Sequence, residues 1–159
     1  PYNPALKKRI IWGNLAIAST IAITILFGAA AIDHVADPLL WLVAASAMAL
    51  TTAREIIMDT NDQFGDFNRN TLPKVLGNEK ARKTVWILAV ASTLLITLPF
   101  TLGYLPQNLV VFVLPAVISL VAVKPFLKQG KDNEAGHILR VAMIFGLLGL
   151  ALCGMIINH

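Results

Sequence analysis

The chain contains few charged residues for its length. Of its 159 residues, 14% are charged and 57% are hydrophobic, and the mean hydropathy is +0.70. A soluble domain of this size carries roughly a quarter charged residues. This shortage excludes an ordinary water-soluble globule and indicates an all-α, polytopic membrane protein.

Cysteine and histidine are scarce as well. A single cysteine, Cys153, excludes an internal disulfide, and the three histidines are isolated, so no Ser-His-Asp or Cys-His set is visible. The chain begins with Pro1 and lacks the layout of a signal peptide. We expect one transmembrane domain over residues 1–159, belonging to a fragment or to one half of something longer.

The basic residues follow a membrane topology. Charge-poor runs predict five spans, at residues 10–32, 39–58, 84–102, 109–123 and 138–157, since a spanning helix needs about 20 residues. All thirteen Lys and Arg residues then fall on one side of the membrane. The positive-inside tendency makes that side cytoplasmic. No basic patch interleaved with aromatic residues is present, so a nucleic-acid partner is not expected.

Acidic residues concentrate in one segment just beyond the second span. Asp59, Asp62 and Asp66 stand at i, i+3 and i+7, and Glu55 lies one turn earlier. A helix would place all four carboxylates on one face, where they repel one another unless cations share the site. Oxygen ligands favour Mg²⁺ held partly by a substrate phosphate. The segment predicts a metal and diphosphate site, although a solvated helix end is the ordinary alternative.

Ionisation of a prenyl diphosphate suits this layout. The departing diphosphate needs its charge neutralised, which Mg²⁺ and basic side chains do electrostatically. The carbocation left behind must be kept from water, as an intramembrane cavity allows. The partners expected on this interpretation are a polyprenyl diphosphate, a lipid or aromatic acceptor, and the lipid membrane itself.

Two sequence patterns resemble the UbiA superfamily of intramembrane prenyltransferases, and within it the archaeal digeranylgeranylglyceryl phosphate synthase branch. The patterns are Arg54-Glu55-Ile56-x-x-Asp59-x-x-Asp62-x-x-Gly65-Asp66 followed by Thr71-Leu72-Pro73 and Gly77, and Tyr2-x-x-x-Leu6-Lys7 followed by Gly13-Asn14. The resemblance aligns the five spans with the last five of the family's nine. It implies Mg²⁺-dependent transfer of a geranylgeranyl-type group, with geranylgeranylglyceryl phosphate as one acceptor.

Site roles follow from the resemblance by position. Asp59, Asp62 and Asp66 are expected to bind Mg²⁺ and to be catalytic. Substrate-binding roles are expected for four residues: Tyr2, Lys7, Asn14 and Arg54. Topogenic charge is the alternative for Lys7, and helix pairing by a hydrogen bond is the alternative for Asn14.

The chain departs from the family pattern in three ways. Met58 replaces the family's usual lysine, and Asn61 replaces a frequent acid. The family's first Asn-Asp-x-x-Asp motif has no counterpart. We therefore expect the chain alone to have little transferase activity until an N-terminal half is supplied.

Two other functions stay open. One is a non-catalytic membrane subunit that binds a cation or partner through its acidic segment. The other, a CDP-alcohol phosphotransferase, is disfavoured because the chain has no Asp-Gly pair.

Overall fold

The computed structural model describes residues 4–62 and 71–157, with side chains from Gly13 onward. Within these ranges every regular element is helical. The elements in chain order are α1 (Pro4–Ala31), α2 (Pro38–Asn61), α3 (Leu72–Leu76), α4 (Asn78–Thr101), a 3₁₀ helix (Gln107–Phe112), α5 (Leu114–Gln129) and α6 (Asp132–Ile157). The predicted all-α fold is confirmed.

Four helices are long and apolar enough to cross a membrane. Their candidate spans are Gly13–Ala31, Pro38–Asn61, Asn78–Thr101 and Asp132–Ile157. The remaining predicted span, 109–123, is divided between the 3₁₀ helix and α5, which has only 16 residues. A helix of that length is about 24 Å long, less than the roughly 30 Å of a bilayer core. The boundary differs because Pro115 lies in the first turn of α5, where proline is tolerated.

Local chemistry sets the start of α2. The Asp37 carboxylate accepts a 2.9 Å hydrogen bond from the Leu39 backbone N–H, and Pro38 occupies the first helical turn, where proline is tolerated. The indole N–H of Trp41 donates to the Val35 carbonyl at 2.8 Å. The turn between α1 and α2 is therefore stabilised by hydrogen bonds from its own side chains.

The sequence predicts charged loops at residues 59–83 and 124–136. This prediction was wrong for the residues of both segments that the structure describes, which are mostly helical. Helix α5 continues through Lys124 and Lys128, and α6 begins at Asp132 after a tight turn at Gly130, whose φ is +72°. In the 59–83 segment, α2 continues to Asn61 and α4 begins at Asn78. Lysine and glutamate are good helix formers, so the helices extend past their apolar stretches.

Helix α2 lies at the centre of the bundle and packs against α1, α4 and α6. Small residues occupy its contacts, with Ala44 and Ala53 fully buried on α2 itself. Alanine and glycine let membrane helices approach closely. The small residues of α2 therefore allow it to pack closely against its neighbours.

The outward faces of the bundle are apolar. Large exposed hydrophobic residues cover α1, α4 and α6, including Phe27, Leu94 and Leu147. In water such faces would mark aggregation, whereas lipid is a good solvent for them. Together with the spanning helices, they make this chain a multi-pass integral membrane protein.

Candidate functional site

A hydrogen bond joins α1 to the acidic end of α2. The Asn14 side-chain amide donates to the Asp59 carboxylate, with 2.9 Å between Nδ2 and Oδ2. Asn14 is 5% exposed and belongs to an apolar run. A buried amide without a partner is costly, so this bond both satisfies Asn14 and orients Asp59. The structure thus gives Asn14 the helix-pairing hydrogen bond that was its alternative role, and its substrate-binding role stays a prediction.

Asp62 lies one turn beyond Asp59, at the C-terminal cap of α2. Its backbone N–H donates to the Met58 carbonyl, and the residue is exposed. Glu55, Asp59 and Asp62 occupy positions i, i+4 and i+7, so the structure supports the predicted shared face for these three residues.

Arg54 pairs with its neighbour Glu55. Its guanidinium lies 2.9 Å from the Glu55 carboxylate, and both side chains are about a quarter exposed. Adjacent helix positions do not face each other, so the length of the arginine side chain makes the contact possible. The pair neutralises the one acid that lies deepest in the second span.

Three predicted site residues fall outside the described parts of the molecule. They are Tyr2, Asp66 and the side chain of Lys7. Of the predicted set, the structure thus brings together Asn14 and Asp59 in direct contact, with Asp62 one turn away and Arg54 held by Glu55.

An apolar cavity lies between the helices on the membrane side of the Asn14 and Asp59 pair. Its volume is about 330 Å³, and five helices line it. The lining residues nearest in sequence to the pair are Ile21 on α1 and Leu50 on α2. At 1.5 Å per residue, these lie about 10 and 13 Å from the pair along their helix axes. The Asn14 and Asp59 pair and the apolar cavity thus follow one another along the axes of α1 and α2.

Two serines form the polar part of the cavity wall. The hydroxyl oxygens of Ser46 on α2 and Ser92 on α4 are 2.9 Å apart, and each lies 3.1 Å from the other residue's backbone carbonyl oxygen. Each hydroxyl donates its one hydrogen either to the other hydroxyl or to that carbonyl. Both are buried. In every alternative, both serine hydroxyls have a hydrogen-bond partner in the protein and need no water.

The donor set can be tested against Mg²⁺. No group of three His, Cys, Asp or Glu side chains lies close enough for a metal within residues 13–62 and 71–157. Mg²⁺ usually binds through one or two carboxylates and completes its shell with substrate phosphates and waters. Asp59 and Asp62 fit that smaller role because both are oxygen donors at the same helix end.

Sequence reasoning missed one strong contact near this end of the molecule. Arg82 on α4 makes a bidentate ion pair with Asp132 at the start of α6. The distances are 2.7 Å from Nε to Oδ1 and 2.6 Å from Nη2 to Oδ2. The residues are 50 positions apart, and no motif links them. Their only signal was opposite charge on the same predicted side of the membrane.

Comparisons with known proteins show which family the chain resembles. The "UbiA prenyltransferase family" matches residues 1–149. Digeranylgeranylglyceryl phosphate synthase from Methanopyrus kandleri is 31% identical over 92% of this chain, and the synthase of that name from Saccharolobus solfataricus is 30% identical over 95%. The alignments cover 55% of each of these two relatives, so the chain spans about half their length. No solved structure matches.

The fold and the site define a helical integral membrane protein with an amide-oriented carboxylate about 13 Å along α2 from an apolar cavity. This chain belongs to the UbiA prenyltransferase family.

Proposed function

We propose that this chain is the C-terminal half of an enzyme that transfers a prenyl group from a polyprenyl diphosphate to a lipid acceptor. The observation that carries the proposal is that the Asn14 and Asp59 hydrogen bond is followed, farther along α1 and α2, by the apolar cavity. A diphosphate and a long hydrocarbon chain need these two environments, adjacent and in this order.

The carboxylates of Asp59 and Asp62 bind Mg²⁺ in this proposal, together with Asp66. When bound, Mg²⁺ supplies positive charge that offsets the charge of the departing diphosphate. Asn14 holds Asp59 in a fixed orientation, so the carboxylate does not reorganise during the reaction. Tyr2 and Lys7 contact the diphosphate, and Arg54 keeps Glu55 neutralised.

The apolar cavity holds the prenyl chain and keeps water from the reacting carbon. The polar side chains in its lining are Thr24, Ser46 and Ser92, and the two serine hydroxyls hydrogen-bond each other. A cation formed there meets the acceptor rather than solvent.

The acceptor that we propose is geranylgeranylglyceryl phosphate. Support comes from the name of the relatives, digeranylgeranylglyceryl phosphate synthase, at 31% and 29% identity for the Methanopyrus kandleri and Methanosarcina mazei proteins. The acidic end of α2 faces the cytoplasm in this proposal, because the basic residues gather on the same side.

The remaining half of the relatives' length supplies the rest of the site. Asp59 and Asp62 alone provide fewer ligands than a clamped diphosphate needs. We propose that a second segment, carrying the family's first acidic motif, completes the metal site, and that the chain has little activity without it.

Reconstituted transfer tests this proposal. The chain is placed in liposomes with Mg²⁺, labelled geranylgeranyl diphosphate and geranylgeranylglyceryl phosphate. It is assayed alone and after co-expression with the part of the Methanopyrus kandleri synthase that it does not match. We expect product only from the co-expressed pair, and none when that pair carries Asp59→Asn.

Two outcomes would contradict the proposal. Equal product from the chain alone would remove the requirement for a second segment. No product from a correctly assembled pair would favour a non-catalytic membrane subunit.

A further inference from the structure

A basic surface separate from the acidic site lies between the N-terminal part of α4 and the C-terminal part of α5. It surrounds a depression of about 320 Å³ and comprises Arg82, Lys83, Trp86, Lys124 and Lys128, with Glu79 at its edge. Within residues 13–62 and 71–157, none of these residues forms a hydrogen bond or an ion pair with Asn14 or Asp59. We call this the α4/α5 basic surface.

Its positive charge is not cancelled. Arg82 is committed to Asp132, and Glu79 contributes one negative charge. The other three cations are Lys83, Lys124 and Lys128, and no ion pair to them is found within residues 13–62 and 71–157. The depression therefore presents more positive than negative charge, which favours an anion.

An aromatic ring fixes one of the lysines. The Lys124 ammonium lies 4.8 Å from the centroid of the Trp86 ring, a cation–π distance. Trp86 is half-buried and packs against the core on its other side. Tryptophan is typical of the headgroup level of a membrane. The pair thus places a cation at that level, between two neighbouring helices.

An apolar track continues from the basic surface into the membrane. On α4, exposed Val90 and Leu94 follow Trp86 at steps of four residues. On α5, exposed Val121 and Ile118 precede Lys124 at steps of three. A free phosphate has no use for such a track, whereas the acyl chains of a lipid do.

We propose that the α4/α5 basic surface binds a membrane lipid with an anionic phosphate headgroup. The headgroup lies against Lys83, Lys124 and Lys128, and the acyl chains follow the apolar track. Basic pockets between spanning helices are suited to such headgroups. The lipid binds from the surrounding bilayer and is independent of the proposed transfer reaction.

Lipid binding to the purified chain tests this proposal. Native mass spectrometry measures retention of dioleoylphosphatidylglycerol against dioleoylphosphatidylcholine, which has the same acyl chains. The site variant is Lys124→Gln with Lys128→Gln. Its matched control is Lys80→Gln with Lys131→Gln, which removes the same charge from the same end of the molecule but not from this surface. A third arm adds millimolar inorganic phosphate to the parent protein.

We expect the parent to prefer the anionic lipid, and the site variant to lose about tenfold of that preference while the control keeps it. Inorganic phosphate should not displace the lipid. The proposal is overturned if the site variant keeps the preference, if the control loses it equally, or if phosphate alone competes as well as the lipid.

Discussion

The Asn14 amide and the Asp59 carboxylate are 2.9 Å apart across the contact between α1 and α2. They are 45 positions apart in the sequence, and Asn14 is the only buried asparagine in the described part of the chain. This bond connects the apolar interior to the acidic end of the molecule. It makes the orientation of Asp59 depend on how α1 packs.

Removing the Asn14 amide should loosen that packing. We expect Asn14→Ala to lower the free energy of unfolding by about 1–2 kcal/mol, since hydrogen bonds to charged groups are worth more than neutral ones. Unfolding in detergent, followed by circular dichroism, measures the change. Thr20→Ala is the control, because the Thr20 hydroxyl bonds only its own helix at Ala16. Equal losses in both variants would contradict a specific role for the bond.

The Ser46 and Ser92 hydroxyls should be energetically coupled. Each accepts or donates to the other, and each also reaches the other's backbone carbonyl. Interhelical hydrogen bonds within membranes average about 0.6 kcal/mol. In a double-mutant cycle of Ser46→Ala and Ser92→Ala, the double variant should therefore lose less stability than the two single losses added together. Simple additivity would show that the pair contributes nothing to the contact between α2 and α4.

At Gly149, helix α6 comes close to the backbone of Phe112. A Cβ atom placed on it would lie 2.8 Å from the Phe112 carbonyl carbon and 3.2 Å from the Val113 side chain. A backbone carbonyl cannot rotate away, so we expect Gly149→Ala to destabilise the protein by about 1–3 kcal/mol. Gly154→Ala, on the same helix with nothing within 4 Å, should be neutral or stabilising. The melting temperatures of the two variants provide the comparison.

Gly77 joins α3 to α4 with φ +84° and ψ +150°, a conformation that other residues rarely adopt. We expect Gly77→Ala to cost about 1–3 kcal/mol through backbone strain alone, because no neighbouring atom obstructs a Cβ there. Gly13→Ala, also unobstructed but inside α1, is the matched control and should not lower the melting temperature. A loss as large at Gly13 would point to helix packing rather than to strain at Gly77.

The membrane fold could be predicted from hydropathy, because hydropathy depends only on local composition. The start of α2 was also predictable, since Asp37 and Pro38 are adjacent to the helix that they begin. The helix ends that lie beyond the apolar stretches were not predictable in this way. Lys124 and Lys128 were interpreted as loop residues, although a helix can carry charged residues past the bilayer core without penalty.

Contacts between distant positions explain what the sequence left open. The acidic segment was visible as a pattern, yet the choice of Asn14 as the partner of Asp59 depends on how α1 packs against α2. The ion pair between Arg82 and Asp132 depends likewise on the turn at Gly130. Neither spacing nor composition encodes such pairings directly.

We propose that the acidic end of α2 is half of a diphosphate site. The most direct measurement is binding of geranylgeranyl diphosphate to the purified chain in detergent, with and without Mg²⁺, for the parent, Asp59→Asn and Asp62→Asn. Asp33→Asn, the same change at the other end of the α1 and α2 hairpin, is the control. We predict Mg²⁺-dependent binding that weakens at least about tenfold in the Asp59 and Asp62 variants and is unchanged in the control. Binding that ignores Mg²⁺, or that is the same in all four proteins, would contradict the claim.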